Sequence, residues 1–161
     1  MRFPSLAHIF IALLVVLIMR RHHVDEGSEQ KPYGCAPYVA HALAAAGFVD
    51  DSRLDKCGDM DPFSNVELNG NTYNLNVVAS KDPNCGSGRL CLMEYLQATG
   101  WTETRHVKAG TVVAVVGSDG PFCHVVLGVG DGIVNAHNMA HYHRDISLYE
   151  VNLALDPPRD S

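Results

Sequence analysis

Cys35 stands where the stretch "KPYGCAPYVAHALAAAGF", residues 31–48, turns from a loop into an alanine-rich run. Pro37 is tolerated in a helix only in the first turn, where its missing N–H would have had no partner, so the helix must begin at or next to Cys35. The unpaired N–H groups and the dipole at a helix N-terminus favour thiolate over thiol and can also hold an oxyanion. What such a cysteine lacks for nucleophilic catalysis is a base, and a second polar group to orient that base.

His124 is the candidate base. It opens "HVVLGVG", where strand alternation sends His124, Val126, Gly128 and Gly130 to one face and Val125, Leu127 and Val129 to the other. The face with histidine and small residues suits the space beneath a helix start or the lining of a cleft, and the valine face suits the core. On the next run, "GIVNAHN", Asn135 and His137 share a side. Either would meet His124 across an antiparallel pair and hold its imidazole, the logic of a Cys-His-Asn triad.

The elements that must position these groups follow from periodicity and punctuation. Residues 31–48 predict a helix stopped by Gly47, with Val39, Ala42, Leu43 and Ala46 as its buried stripe. Residues 49–88 carry little periodicity outside "NTYNLNVVAS", a short strand or turn. So long an irregular segment, bracketed in large part by Cys57 and Cys85, is either pinned by disulfides or serves as a substrate-binding lid. "RLCLMEYLQAT", Arg89 to Thr99, predicts a short amphipathic helix on Leu90, Met93 and Leu96 with Gly100 behind it. The β-branched runs "AGTVVAVVG", "CHVVLGVG" and "GIVNAH" alternate with hairpin punctuation, "SDGPF" and "DG", and predict an antiparallel meander closed by "SLYEVNLAL". Helices before sheet give an expected fold class of α+β in a single domain.

The formal net charge of -6, with lysine and arginine scattered, argues against nucleic acid as a partner. "IFIALLVVLIM", Ile9 to Met19, is too short to span a bilayer and fits the core of a signal peptide, with a short membrane anchor as the alternative. The expected division is therefore 1–30 as signal peptide or anchor plus polar linker, 31–155 as the folded domain and 156–161 as a tail. None of the five cysteines forms a C-x-x-C pair, which argues against a structural zinc or thioredoxin-type site. In an exported protein an odd count implies two disulfides and one free thiol. Cys35 is expected to be the free one, with Cys57, Cys85, Cys91 and Cys123 paired in any of three connectivities. Cys123 points away from His124 along the strand, which favours a disulfide role for it.

"GCAPYVAHALAAAGF" resembles the nucleophile helix of the NlpC-like cell-wall peptidases. "KAGTVVAVVG" followed by "CHVVLGVGDGIVNAH" is similar to their strand, then a strand opening with His and Val, then a glycine hairpin and a third polar residue on the next strand. "NAHNMAHYHRDISLYEV" is also similar to the related amidases with a cysteine–histidine dyad, and the resemblance runs in order from Gly34 to Val151. It implies a papain-like, NlpC-type α+β fold, with an N-terminal nucleophile helix packed on a C-terminal antiparallel sheet. It implies hydrolysis of amide bonds in peptidoglycan peptide stems by a secreted monomer, without metal or other cofactor. Carried over by position, Cys35 is the nucleophile, His124 the base and His137 the orienting residue. The family spacing from His124 falls on Ala136, between Asn135 and His137, and Gly34 stands where those peptidases carry Asp.

Two rival readings belong to other classes. His137, His141 and His143, with Asp145 nearby, have spacings that would ligate zinc if residues 137–141 were helical, making a metal-dependent hydrolase. A non-catalytic exported, disulfide-stapled binding or effector protein on the same scaffold is the other. The expected partner is a peptide or peptidoglycan fragment, with membrane contact only through an uncleaved N-terminal segment.

Overall fold

The computed structural model describes residues 34–49, 64–83, 89–136 and 143–158. The apolar run Ile9–Met19, together with Cys57, Cys85, His137 and His141, lies outside the described residues. No helix of the described residues is long and apolar enough to cross a membrane.

Helix α1, Cys35–Ala45, begins where Pro37 requires, with Gly34 extended at its N-cap and Tyr38 N–H bonded to the Gly34 carbonyl at 3.2 Å. Gly47 ends it at φ 86°, with Gly47 N–H on the Ala44 carbonyl and Phe48 N–H on the Leu43 carbonyl, the two bonds of a Schellman motif. The helix is covered on more than one stripe, because Ala36, Tyr38, Val39, Ala40, Ala42, Leu43 and Ala44 are all buried.

The segment read as irregular holds a small sheet. Strands β1 (Val66–Leu68) and β2 (Asn71–Asn74) form a hairpin, and β3 (Leu90–Cys91) adds to β2 in parallel. Asn69 and Gly70, both at positive φ, make the two-residue turn that an Asn-Gly pair specifies. Helix α2, Leu92–Ala98, follows directly, and its Glu94 carboxylate accepts the N–H groups of Cys91 (3.0 Å) and Ser80 (2.6 Å). Leu92 and Met93 donate to the carbonyls of Val77 and Val78, so residues 77–80 are fastened to the start of α2. Tyr73 packs edge-on against Tyr95 with ring centroids 5.4 Å apart, which joins the small sheet to α2.

The main sheet has six strands: β4 (Thr102–Glu103), β5 (Val112–Gly117), β6 (Gly120–Gly130), β7 (Ile133–Asn135), β8 (Arg144–Asp145) and β9 (Val151–Asp156). Their order, β4-β9-β5-β6-β7-β8, is antiparallel throughout but not a simple meander, since β9 returns to lie between β4 and β5. The whole is an α+β fold, as expected.

Alternation sorts the sheet into two faces. Val112, Ala114, Val125, Leu127 and Leu155 join α1, α2 and Trp101 in one core. Val113, Val115, Val126, Val134, Ala136 and Ala154 form a second on the opposite face, with Val107, Ile146 and Tyr149. At one point the backbone comes so close that no side chain fits. Gly128 N–H bonds to the Thr111 carbonyl at 2.7 Å, and a Cβ on Gly128 would sit inside the contact radius of the Lys108 carbonyl oxygen. The 108–111 turn cannot easily retreat, because the Thr111 hydroxyl donates to Asp156 at 2.7 Å and Lys108 pairs with the same carboxylate at 3.5 Å. Gly128→Ala should therefore destabilise the domain by roughly 1–3 kcal/mol, read as a lower urea midpoint at unchanged slope.

Candidate active site

Strand β6 supplies the setting. Gly128 directs its N–H and carbonyl to the β5 side, so the alternate residues Leu127, Val125 and Cys123 direct theirs to the β7 side. Among the described residues the β6–β7 ladder ends with the pair Leu127–Asn135. Beyond that pair the N-terminus of α1 approaches β6. Cys35 Sγ lies 3.9 Å from the Cys123 carbonyl oxygen as a donor, and the N–H of Val125 is directed at the same sulfur. The N–H groups of Cys35 and Ala36 at the helix start also point to it.

Cys35 is a free, partly buried thiol. Burial pushes its pKa above the ordinary thiol value. The three backbone N–H groups pull the other way without prevailing, and the negative charge of Asp82 adds to the rise. Desolvation of the charged sulfur thus works against the thiolate that a helix start is expected to favour.

His124 is not beside Cys35. It pairs with Val115 on the face of Val113 and Val126, and its ring stacks on Tyr149 with centroids 6.3 Å apart and planes at 29°. Helix α1 covers the other face, that of Val125 and Leu127. The sequence reading had these faces reversed. The bulky side chains of β6 are the ones the small-residue helix covers, while His124 and Val126 look toward the second core. Among the described residues the polar contacts of Cys35 are all to backbone groups.

Asn135, buried at 1% exposure, pairs with Leu127 and so lies on the face opposite to His124. Its Oδ1 accepts the His143 N–H at 2.7 Å, which fastens the chain where it re-enters β8. That register removes Asn135 from the orienting role, and it is Ala136 that shares the face of Val126. His137 lies outside the described residues. Of the zinc reading, His143 is exposed, Asp145 Oδ1 accepts the Ser147 N–H at 2.9 Å as the cap of a short 3₁₀ turn, and His137 and His141 lie outside the described residues. The Ser147 donor holds the Asp145 carboxyl below its usual range.

Cys91 is not among the free thiols of the described residues. Cys123 is a free thiol, against the expectation of a disulfide role. Its Sγ donates to the Gly120 carbonyl at 2.6 Å within its own hairpin, where the bulge beside Phe122 (φ 59°) turns it back along the chain. Sequence reasoning missed the Cys123 carbonyl, the Val125 N–H, Asp82 and Tyr149, none of which carries a motif. No protein-family model, curated protein or solved structure matches the chain.

The charge of Asp82 gives a direct check on this electrostatic picture. Asp82→Asn should lower the Cys35 pKa and raise its iodoacetamide alkylation rate at mildly alkaline pH by a few-fold. In the parent protein that rate should keep climbing with pH beyond the range of an ordinary thiol.

Proposed function

We propose that the protein is a cysteine-dependent amide hydrolase of papain-like, NlpC-type architecture, acting on peptide stems of peptidoglycan outside the cytoplasm. The observation that carries this reading is the seat of Cys35: a free thiol on the first residue of a buried helix, 3.9 Å from the Cys123 carbonyl oxygen of β6. Because the resting sulfur is the thiol, its proton has to be removed as substrate arrives, and the reaction needs a general base. His124 serves as that base once its ring leaves the Tyr149 stack and turns toward the stretch of β6 where its neighbour Cys123 already meets Cys35.

The chemistry then balances without a cofactor. The sulfur attacks the amide carbonyl as its proton passes to His124. The Cys35 N–H holds the tetrahedral oxyanion, His124 returns the proton to the leaving amine, and water cleaves the thioester. The position of His124 on the far face favours a second reading, a non-catalytic binding protein on the same scaffold.

Mass spectrometry of peptidoglycan digests separates the two. The parent protein should release stem-peptide fragments, and Cys35→Ala should lower their rate of release by roughly 10³-fold or more while its circular dichroism is retained. Fragment release undiminished in Cys35→Ala would reject the thiol mechanism, and no release by either protein would support the binding reading.

A further inference from the structure

Two free thiols meet the same few atoms of β6. Cys35 Sγ is 3.9 Å from the carbonyl oxygen of Cys123, while the Cys123 thiol turns the other way, onto the Gly120 carbonyl. It occupies room that Gly117 leaves, for a Cβ at position 117 would stand 2.8 Å from that sulfur. A thiol is a weak hydrogen-bond donor, so little holds the Cys123 side chain in this direction. Closing the pair requires the Cys123 side chain to turn from the Gly120 carbonyl toward Cys35.

We propose that Cys35 and Cys123 are a redox pair that closes into a disulfide and caps the candidate nucleophile. The oxidant is a low-molecular-weight disulfide such as oxidised glutathione. The Cys123 thiolate attacks one of its sulfurs, forming a mixed disulfide and expelling one thiolate. The Cys35 thiolate then attacks the Cys123 sulfur, the protein disulfide forms and the second small thiol leaves. Two protein thiols lose two electrons and two protons, and one small disulfide becomes two small thiols. Cys35 reacts second, its proton leaving with the departing small thiol as its sulfur bonds to that of Cys123. The bridge itself is independent of the hydrolase reading, and only its consequence, an inactive enzyme, rests on that reading.

The test is peptide mapping of the full chain after incubation with oxidised or reduced glutathione, with remaining thiols alkylated under denaturing conditions. The expected result is one new cross-linked peptide pair joining Cys35 and Cys123, absent after dithiothreitol, with both residues protected from alkylation. In Cys123→Ser, Cys35 should stay open to alkylation under the same oxidation. Four results would overturn the proposal: both thiols still alkylated, glutathione retained on either cysteine, Cys35 joined to Cys57 or Cys85 instead, or Cys35 equally protected in Cys123→Ser. Because mapping reads no hydrolysis, a bridge in a protein whose amide hydrolysis survives Cys35→Ala would leave this proposal standing and remove only the hydrolase.

Discussion

The structure depends on the contact between strand β6 and the start of α1. β6 runs from Gly120 to Gly130; among the described residues its β7 ladder ends at Leu127–Asn135, and beyond that pair the backbone of Cys123 meets Cys35. Leaving buried backbone N–H and carbonyl groups unmade costs about 1–3 kcal/mol each. The start of α1 meets that need with one side chain that both donates and accepts. The Cys35 thiol gives its hydrogen toward the Cys123 carbonyl and receives the Val125 N–H. A methyl group there would satisfy neither, and a carboxylate could serve only the N–H.

Small residues make the approach feasible. Ala36, Ala40 and Ala44 repeat every fourth residue along α1, and all are buried, so the helix axis can come close to the sheet while Val39 and Leu43 fill the space between. The same closeness shuts water away from the sulfur. It therefore reverses the usual effect of a helix start on a cysteine, since an ion must be desolvated before any dipole can stabilise it.

Much of this was legible in the sequence and some was not, for identifiable reasons. Pro37 and Gly47 fixed both ends of α1, because each permits only one kind of backbone at its position. The β-branched runs marked β5, β6 and β7, and the Asp-Gly pair marked the turn between the last two. "NTYN" reads as a short strand or turn and forms β2, but β1 and its pairing with β2 escape notice although Asn69-Gly70 is a strong turn signal, because the strands are three and four residues long and too polar to show a period. The choice of face for His124 was not available from alternation alone. Period two says which residues share a side and never which side a helix covers. The partnership of Asn135 with His143 and the return of β9 beside β5 are long-range pairings, and nothing local encodes them. The Cys35 environment is largely backbone, so residue types could not announce it.

One short segment governs what the sulfur can do. Residues 120–124 carry the Gly120 carbonyl that holds one thiol, the Cys123 carbonyl that meets the other, and the imidazole stacked on Tyr149. That segment is bulged against β5, passes through a positive φ at Phe122, and is tied to β9 where the Asn152 side-chain oxygen accepts the Phe122 N–H at 2.9 Å. A bulge re-aims side chains by rotating a residue or two without moving the strand that carries them. The turn of His124 toward the edge and the turn of Cys123 toward Cys35, which the two proposals require, would both fall in or beside this irregular stretch of backbone and end at the same sulfur. The proposed hydrolysis draws on the first and the proposed oxidation on the second. A bridged Cys35 has no thiol left to deprotonate, so the two uses exclude each other by covalent chemistry.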